Sequence, residues 1–230
     1  MTQAGLAQFF TPQAVAAFAF DALAALGPRG GRLRIVDPAC GDGVFLHEAA
    51  RRFPDAELWG CDVDAALQEA WRTAGLTEPR AHMAVQDGLT DAPLFGLGEG
   101  TFDLVVGNPP YGFGVPRPSG RERIEERFLL RFVALARRGG WVAIVVPEGI
   151  LANARSQRLR NKVLDRLALK AVVALPEETF AAAGTRARTA LLVGRKGRAE
   201  DGEALLASPR GGAGLESYLR DVLQRVRNGG

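Results

Sequence analysis

Arg32-Leu33-Arg34-Ile35-Val36-Asp37-Pro38-Ala39-Cys40-Gly41-Asp42-Gly43, running on into Val44-Phe45-Leu46-His47-Glu48, is the stretch that decides the fold. A short β-branched run from Arg32 to Asp37 gives way to a glycine turn. The apolar spacing then changes to that of a helix from Val44 to about Phe53. Strand, turn and helix in this order open a strand–helix–strand unit of a parallel sheet. Glycines let the backbone approach a ligand closely, and the first turn of the helix presents free N–H groups. Neither phosphate-cradling pattern, G-x-G-x-x-G or G-x-x-x-x-G-K-[ST], is present. Two acids, Asp37 and Asp42, flank the turn instead; carboxylates there repel pyrophosphate and attract a cationic amino group.

The same alternation extends in both directions. Upstream, Thr11-Pro12 opens an amphipathic helix to Leu26, with Thr11 as the N-cap and Pro12 at the first helical position, closed by Gly27-Pro28 and Gly30-Gly31. Downstream come a second strand (Glu57 to Asp62), a helix from about Ala65 to Gly75, a third strand (Ala81 to Gln86) and a fourth (Thr101 to Gly107). A Gly- and Pro-rich loop, Gly112 to Gly120, precedes a helix from Arg121 to Arg138 and a fifth strand, Trp141 to Val146. A helix from about Arg155 to Leu167 leads to two last strands, Lys170 to Leu175 and Arg188 to Arg195. Too few residues separate that pair for a crossover helix, which predicts antiparallel pairing.

The expectation is an α/β fold with a doubly wound, mostly parallel sheet of seven strands and an antiparallel terminal strand. Such sheets bind ligands outside the carboxyl ends of their strands. Residues 1–196 form the expected catalytic domain, and 197–230 a short polar tail with one helical segment near Glu216 to Val226. No internal repeat is visible.

Composition narrows the class. In 230 residues, 47% are hydrophobic and 24% charged, a globular balance with a sizeable core. Cys40 and Cys61 have no disulfide or metal-site spacing and read as reduced core thiols of a cytoplasmic protein. No run of about 18 apolar residues and no signal segment points to a membrane. The net charge of +3 mildly favours an anionic partner.

Asp62 ends the second strand about 20 residues beyond the turn, the placement of a carboxylate that accepts both hydroxyls of a ribose. Asp64 is the better candidate for capping the next helix. Asp87 follows the third strand, where it would accept from the N6 amine of an adenine. Three acids at three successive strand ends form a row along one sheet edge. A nucleoside that also carries a cationic amine fits that row, and S-adenosylmethionine has both.

Asn108-Pro109-Pro110-Tyr111 follows the fourth strand. An exocyclic base amine is a poor nucleophile because its lone pair is conjugated into the ring. Two acceptors aimed at its hydrogens, the Asn108 side-chain oxygen and the Pro109 carbonyl, would draw the nitrogen toward tetrahedral geometry. The prolines fix φ and remove competing N–H donors. Tyr111 offers a flat face on which a base can stack. In isolation the tetrapeptide would read more readily as a proline-rich turn closing a strand; its position beyond the three acids reverses that.

Taken together, Gln8-Phe9-Phe10-Thr11-Pro12, Asp37 to Gly43, Gly60-Cys61-Asp62-Val63-Asp64, Asp87 and Asn108 to Tyr111 resemble the motif series of DNA N6-adenine methyltransferases. Their order is similar to the gamma arrangement of many restriction–modification enzymes, over about residues 8 to 196. The resemblance implies a Rossmann-like class I methyltransferase fold with S-adenosylmethionine as cofactor. It also implies cofactor contacts from Thr11 at the methionine end, Asp37, Ala39, Gly41, Asp62, Val63, Asp87 and Asn108. Methyl transfer would go to adenine N6 in DNA. The flipped base would lie against Tyr111 and Phe180, the latter in Glu177-Glu178-Thr179-Phe180; Phe180 reads equally as core.

The chain departs from that family in having only about 34 residues after Lys196, too few for a target-recognition domain. Either a separate subunit supplies recognition, or the substrate is already unpaired, or the chain is a fragment or a stand-alone core. Of its own basic residues, Arg117, Arg121, Arg123, Arg186 and Arg188 are the candidates for DNA contact. Two other readings stay open. One is N-methylation of RNA or of a protein glutamine, whose enzymes resemble D-L-G-x-G-x-G at the first motif. The other is a catalytically silent, methyltransferase-like DNA-binding subunit. No metal is expected.

Overall fold

The computed structural model describes residues 10–27, 31–77, 79–111, 123–198, 204–209 and 214–228. Gln8, Phe9, the 112–120 loop with Arg117, and Arg121 lie outside them. In chain order the elements are α1 (Gln13–Leu26), β1 (Arg34–Asp37), α2 (Val44–Arg52), β2 (Glu57–Asp62), α3 (Gln68–Thr73), β3 (Ala81–Val85), β4 (Phe102–Gly107), α4 (Ile124–Leu135), β5 (Ala136–Pro147), α5 (Glu148–Ala152), α6 (Gln157–Leu164), β6 (Leu167–Ala174), β7 (Thr189–Lys196), β8 (Leu205–Ala207) and α7 (Leu215–Arg227).

The strands form one sheet in the order β3-β2-β1-β4-β5-β7-β6-β8. All pair in parallel except β7, which runs antiparallel to both β5 and β6. The alternation of apolar residues along each strand splits the core in two. Ile35, Leu104, Val106, Ala143 and Val193 pack with α1, α2 and α7, whereas Val36, Val105, Val142 and Ile144 pack with α4 and α6. The strands therefore read as continuous apolar runs because both faces are covered.

Two expectations change. The sheet has eight strands, not seven. Leu205–Ala207 adds beside β6, pairing Ala171 with Leu205 and Val173 with Ala207, a strand of three residues that gives almost no periodic signal. The antiparallel strand is the expected one, Thr189–Lys196, and it lies inside the sheet because β7 returns between β6 and β5. The segment after Lys196 carries β8 and a helix where one was expected. Its helix α7 buries Tyr218, Leu219, Val222 and Val226, and the Tyr218 hydroxyl donates to the Ala174 carbonyl at 2.8 Å.

Finally, α4 stops at Leu135, not Arg138. The Lys196 ammonium donates to the carbonyls of Ala134 and Ala136 at 2.9 and 2.6 Å, satisfying the helix end. The chain then enters β5 through a bulge, with Phe102 paired to Ala136 but Leu104 to Trp141. Gly139, at φ +74, makes that bulge affordable to the backbone.

Candidate active site

The carboxyl ends of β1, β2, β3 and β4 meet along one edge of the sheet. The Asp37 side chain accepts from the Ala39 N–H at 3.0 Å and is 1% exposed. From β2, Asp62 reaches across to the turn after β1. One of its oxygens accepts from the Gly41 N–H at 3.0 Å and the other from Asp64 N–H at 3.1 Å. Trp71 of α3 donates its ring N–H to the Gly41 carbonyl at 2.7 Å, so the glycine turn is gripped on both sides. Asp42 accepts from Val44 N–H at 3.2 Å at the start of α2. Asp64 caps the short 3-10 turn Ala65–Leu67 by accepting from Ala66 N–H at 2.9 Å, as expected.

Asp87 is exposed and accepts from the Leu89 N–H at 2.9 Å. The next residue, Gly88, is packed so closely that a Cβ would lie 1.8 Å from the Pro38 carbonyl oxygen. Arg131 of α4 donates to the Gly88 carbonyl at 3.2 Å, pressing the β3 loop onto the β1 turn. Ala39 is half-buried and Val63 is 55% exposed. Val63 thus leaves an apolar side chain open to solvent between two acids.

The electrostatics of this half are those of an unpaid anionic cluster. Burial pushes the Asp37 carboxyl well above the usual carboxylate range; the Ala39 N–H opposes this, and Asp62 and Asp42 add to the rise. Burial likewise raises Asp62 and Asp42 against the backbone N–H groups they accept from. Both cysteines are free and buried, and burial with the nearby Asp37 and Asp62 charges raises their thiols, which removes them from nucleophilic chemistry. A cationic ligand group would relieve the repulsion among the acids. Among the described residues no group of three or more His, Cys, Asp or Glu side chains could hold a metal ion, and no helix is long and apolar enough to cross a membrane.

The fourth strand supplies the other half. Asn108 donates its side-chain N–H to the Thr11 hydroxyl at 3.1 Å, across 97 residues of sequence. This replaces the expected N-cap. Pro12 takes the flanking position of α1 with φ −56° and ψ 136°, no side chain caps the helix, and the Thr11 hydroxyl is turned to Asn108. Gln13, the first residue of α1, donates to the buried Glu48 of α2 at 2.9 Å, tying the Thr11 segment to the helix behind the glycine turn. Replacing Thr11 with valine should cost about 1 kcal/mol of stability, the worth of one hydrogen bond, while serine restores it; urea unfolding reads that difference.

With its amide N–H committed, Asn108 presents its oxygen as an acceptor. That oxygen is buried and has no hydrogen-bond partner among the described residues. Tyr111 is 5% exposed; burial pushes its phenol up to about 12, with the Asn108 side chain hydrogen-bonding against that rise.

Gly107, immediately before Asn108, was not legible as a site residue. It sits at φ +150°, and a Cβ there would lie 2.5 Å from an Asp37 carboxylate oxygen. The glycine therefore lets Asp37 and the Asn108 turn touch back to back. Gly107→Ala should cost about 2–4 kcal/mol of stability, from strain and overpacking together, as read by urea unfolding.

Phe180 lies in a 3-10 stretch, Glu177–Ala183, whose backbone breaks at Phe180 itself (φ −108°, ψ 15°). Its ring is 1% exposed and packs into the core on the α1 face, so a base could stack on it only after the ring moves. Of the basic residues named from the sequence, Arg123 pairs with Glu125 at 3.1 Å and Arg188 with Glu177 at 2.6 Å; Arg186 is exposed.

A parallel sheet interrupted by one antiparallel strand, with acids at three strand ends, defines a class I S-adenosylmethionine-dependent methyltransferase. The family model described as N-6 DNA Methylase matches residues 2–210, and the chain belongs to that family. The fold recurs in the methyltransferase subunit of a type I restriction-modification system from Streptococcus thermophilus. That structure superposes with a TM-score of 0.74 at 20% identity, covering 96% of this chain and 53% of that one. Among curated relatives, Type II methyltransferase M.CvrRI of Paramecium bursaria Chlorella virus XZ-6E is 24% identical over 202 residues, 82% of this chain and 48% of the relative. Ribosomal RNA large subunit methyltransferase G of Streptomyces griseus is 38% identical over 90 residues, 37% of this chain and 22% of the relative. This chain thus spans less than half the length of either curated relative.

Proposed function

We propose that this protein methylates the exocyclic N6 amine of adenine in DNA. The observation that carries the reading is the Asn108 oxygen, a buried acceptor with no partner among the described residues and an orientation held by Thr11. An amine hydrogen of the target base satisfies it, and the Pro109 carbonyl is assigned the second hydrogen. Together they withdraw the amine from conjugation and localise its lone pair for attack. Pro109 and Pro110 keep the turn rigid, and Tyr111 supplies the face against which the base lies. Bound S-adenosylmethionine supplies an electrophilic methyl group on a sulfonium.

For the cofactor, Asp37 is assigned the ammonium group with Asp42 nearby, Asp62 the ribose hydroxyls and Asp87 the adenine amine. Thr11, Ala39, Gly41, Val63 and Asn108 line the remainder. The chemistry of this donor set fits, since a ring of raised carboxyls gains from a cation. Phe180 is assigned the far face of the base once it leaves the core. Sequence choice is assigned to a separate recognition subunit, since base extrusion needs more contacts than one catalytic body offers.

Tritiated methyl transfer to DNA, RNA and protein in parallel, followed by nucleoside analysis, tests the reading. The expected product is N6-methyladenine in DNA; label confined to RNA or to protein would overturn it.

A further inference from the structure

The turn after β4 is rich in acceptors and poor in donors. Pro109 and Pro110 have no N–H, and the Asn108 side chain gives an N–H to Thr11. An adenine carries the ring nitrogens N1, N3 and N7 besides its amine, and these only accept hydrogen bonds. A base held in a buried site therefore needs a donor from elsewhere in the fold.

Asn108 is not the only buried group without a partner. Among the described residues a side-chain nitrogen of Arg123 and the hydroxyls of Ser156, Thr179 and Thr189 share that state. They come from the β4–α4, β5–α6 and β6–β7 connections, all at the carboxyl edge of the sheet that carries Asn108. Buried polar groups are ordinarily satisfied, so such a concentration marks a place for a polar guest. Two of the four belong to the other layer. Arg123 precedes α4 and is already paired with Glu125, and Ser156 leads into α6; both helices pack on the Val36 and Val142 face. Thr179 lies in the 3-10 turn, where no ladder fixes the direction of its side chain.

Thr189 is different. It begins β7 and is 1% exposed. Side chains alternate along that strand, and Leu191 and Val193 lie in the core beside α1, so Thr189 points to the α1 face. Asn108 is on that face as well, since its amide reaches the Thr11 hydroxyl at the entrance of α1. The ladder register relates the two. Gly107 is opposite Ile144 of β5, and Thr189 is opposite Pro147, three residues further along β5. Thr189 is thus two strands across from Asn108 and two residues beyond its level, about 12 Å between backbones at the usual spacings. A flat heterocycle with a hydrogen bond at each end fits that span once both side chains reach inward. Pro147 lies between them, half-buried and without an N–H to compete.

We propose that the Thr189 hydroxyl donates to a ring nitrogen of the target base, so that it reads the heterocycle while Asn108 and Pro109 hold the amine. The inference rests on the adenine reading and adds the donor that reading lacks. Phe180 joins the core on the same face and has to leave it to stack on a base, which opens that layer to the incoming ring.

Two measurements on the full chain test it. In urea unfolding without cofactor or DNA, Thr189→Val removes a buried hydroxyl that has no partner and keeps the volume, so the unfolding equilibrium constant should fall about fivefold or more. Single-turnover methylation is then compared between mixed-sequence DNA strands carrying adenine and strands in which a CH group replaces N1, N3 or N7 of every adenine. The parent should methylate adenine about tenfold faster than one of these analogues, the worth of one hydrogen bond to a buried site. Thr189→Val should lose that preference through a slower adenine reaction, and Thr189→Ser, which keeps the hydroxyl, should retain it. Unchanged or reduced stability in Thr189→Val, a preference that survives valine, or a parent with no preference would overturn the proposal alone. A parent that methylates no DNA would overturn the adenine reading and the proposal together, which keeps the two failures distinguishable.

Discussion

Asn108→Ala is expected to lower kcat by about 10²–10³-fold, the effect of deleting one preorganised acceptor or donor aimed at a reacting group. Three features make the estimate specific to this residue. The oxygen is buried, so water competes poorly for the amine hydrogens. It has no partner among the described residues, so nothing must be broken before substrate binds. The Thr11 hydroxyl accepts from the amide N–H, which keeps the oxygen rather than the nitrogen facing the site. Asn108→Asp retains an acceptor but loses the donor to Thr11, and should fall between the parent and alanine. Single-turnover methylation with saturating DNA and cofactor measures the chemical step; a parent-like rate in the alanine variant would remove the acceptor pair from the mechanism. Cofactor affinity, read separately by calorimetry, should change far less than kcat.

The second large effect is expected at Asp37, and it has opposite signs for two measurements. Burial raises this carboxyl, with Asp62 and Asp42 adding to the rise. In the cofactor-free protein the folded state therefore holds a proton over a pH window where the unfolded chain has already lost it. Folding stability is greatest on the acid side of that window and declines as pH rises through the folded-state value. Asp37→Asn removes the ionisable group and should raise the melting temperature of the cofactor-free protein at pH 7 to 8, with a flatter pH profile. The same substitution deletes the countercharge for a bound ammonium and should weaken S-adenosylmethionine binding roughly 30-fold or more. In the parent protein, affinity should fall as pH drops through the raised carboxyl range, with protons released on binding. Calorimetry in buffers of different ionisation enthalpy reads that release; parent-like affinity in Asp37→Asn would take Asp37 out of the cofactor site.

How much of this was legible before folding follows from the range of each signal. The β1 strand, its glycine turn and α2 announce themselves locally, since β-branched residues, glycines and helical spacing lie within twenty positions. The acids at Asp37, Asp62 and Asp87 are readable for the same reason, each ending a short apolar run. Thr11 was identified but given a helix cap, because a Thr-Pro pair before an amphipathic run has that meaning on its own. Its partner lies 97 residues away and leaves no trace in the intervening sequence. Gly107 and Gly88 were silent because what forbids a side chain there is a neighbouring strand end, Asp37 and Pro38 respectively. Strand β8 was missed because three apolar residues do not establish a period. The ion-paired state of Arg123 and Arg188 was likewise invisible, since charge is written in the sequence but pairing is not.

The docking of α7 on α1 has a temporal consequence. On a ribosome α1 emerges well before α7, carrying Thr11 at its entrance and an apolar face with Val15, Phe18, Ala22 and Leu23. The surface that seals part of that face, Tyr218 to Val226, is made some two hundred residues later. Until then α1 has an incomplete seat, and the hydroxyl that orients Asn108 has no fixed address. A nascent chain can assemble the turn around Gly41 from β1, α2 and β2 alone, but it completes the seat of α1, and with it the Thr11–Asn108 contact, only after α7 has been made. On the proposed function, the order of translation separates the capacity to hold a methyl donor from the capacity to use it.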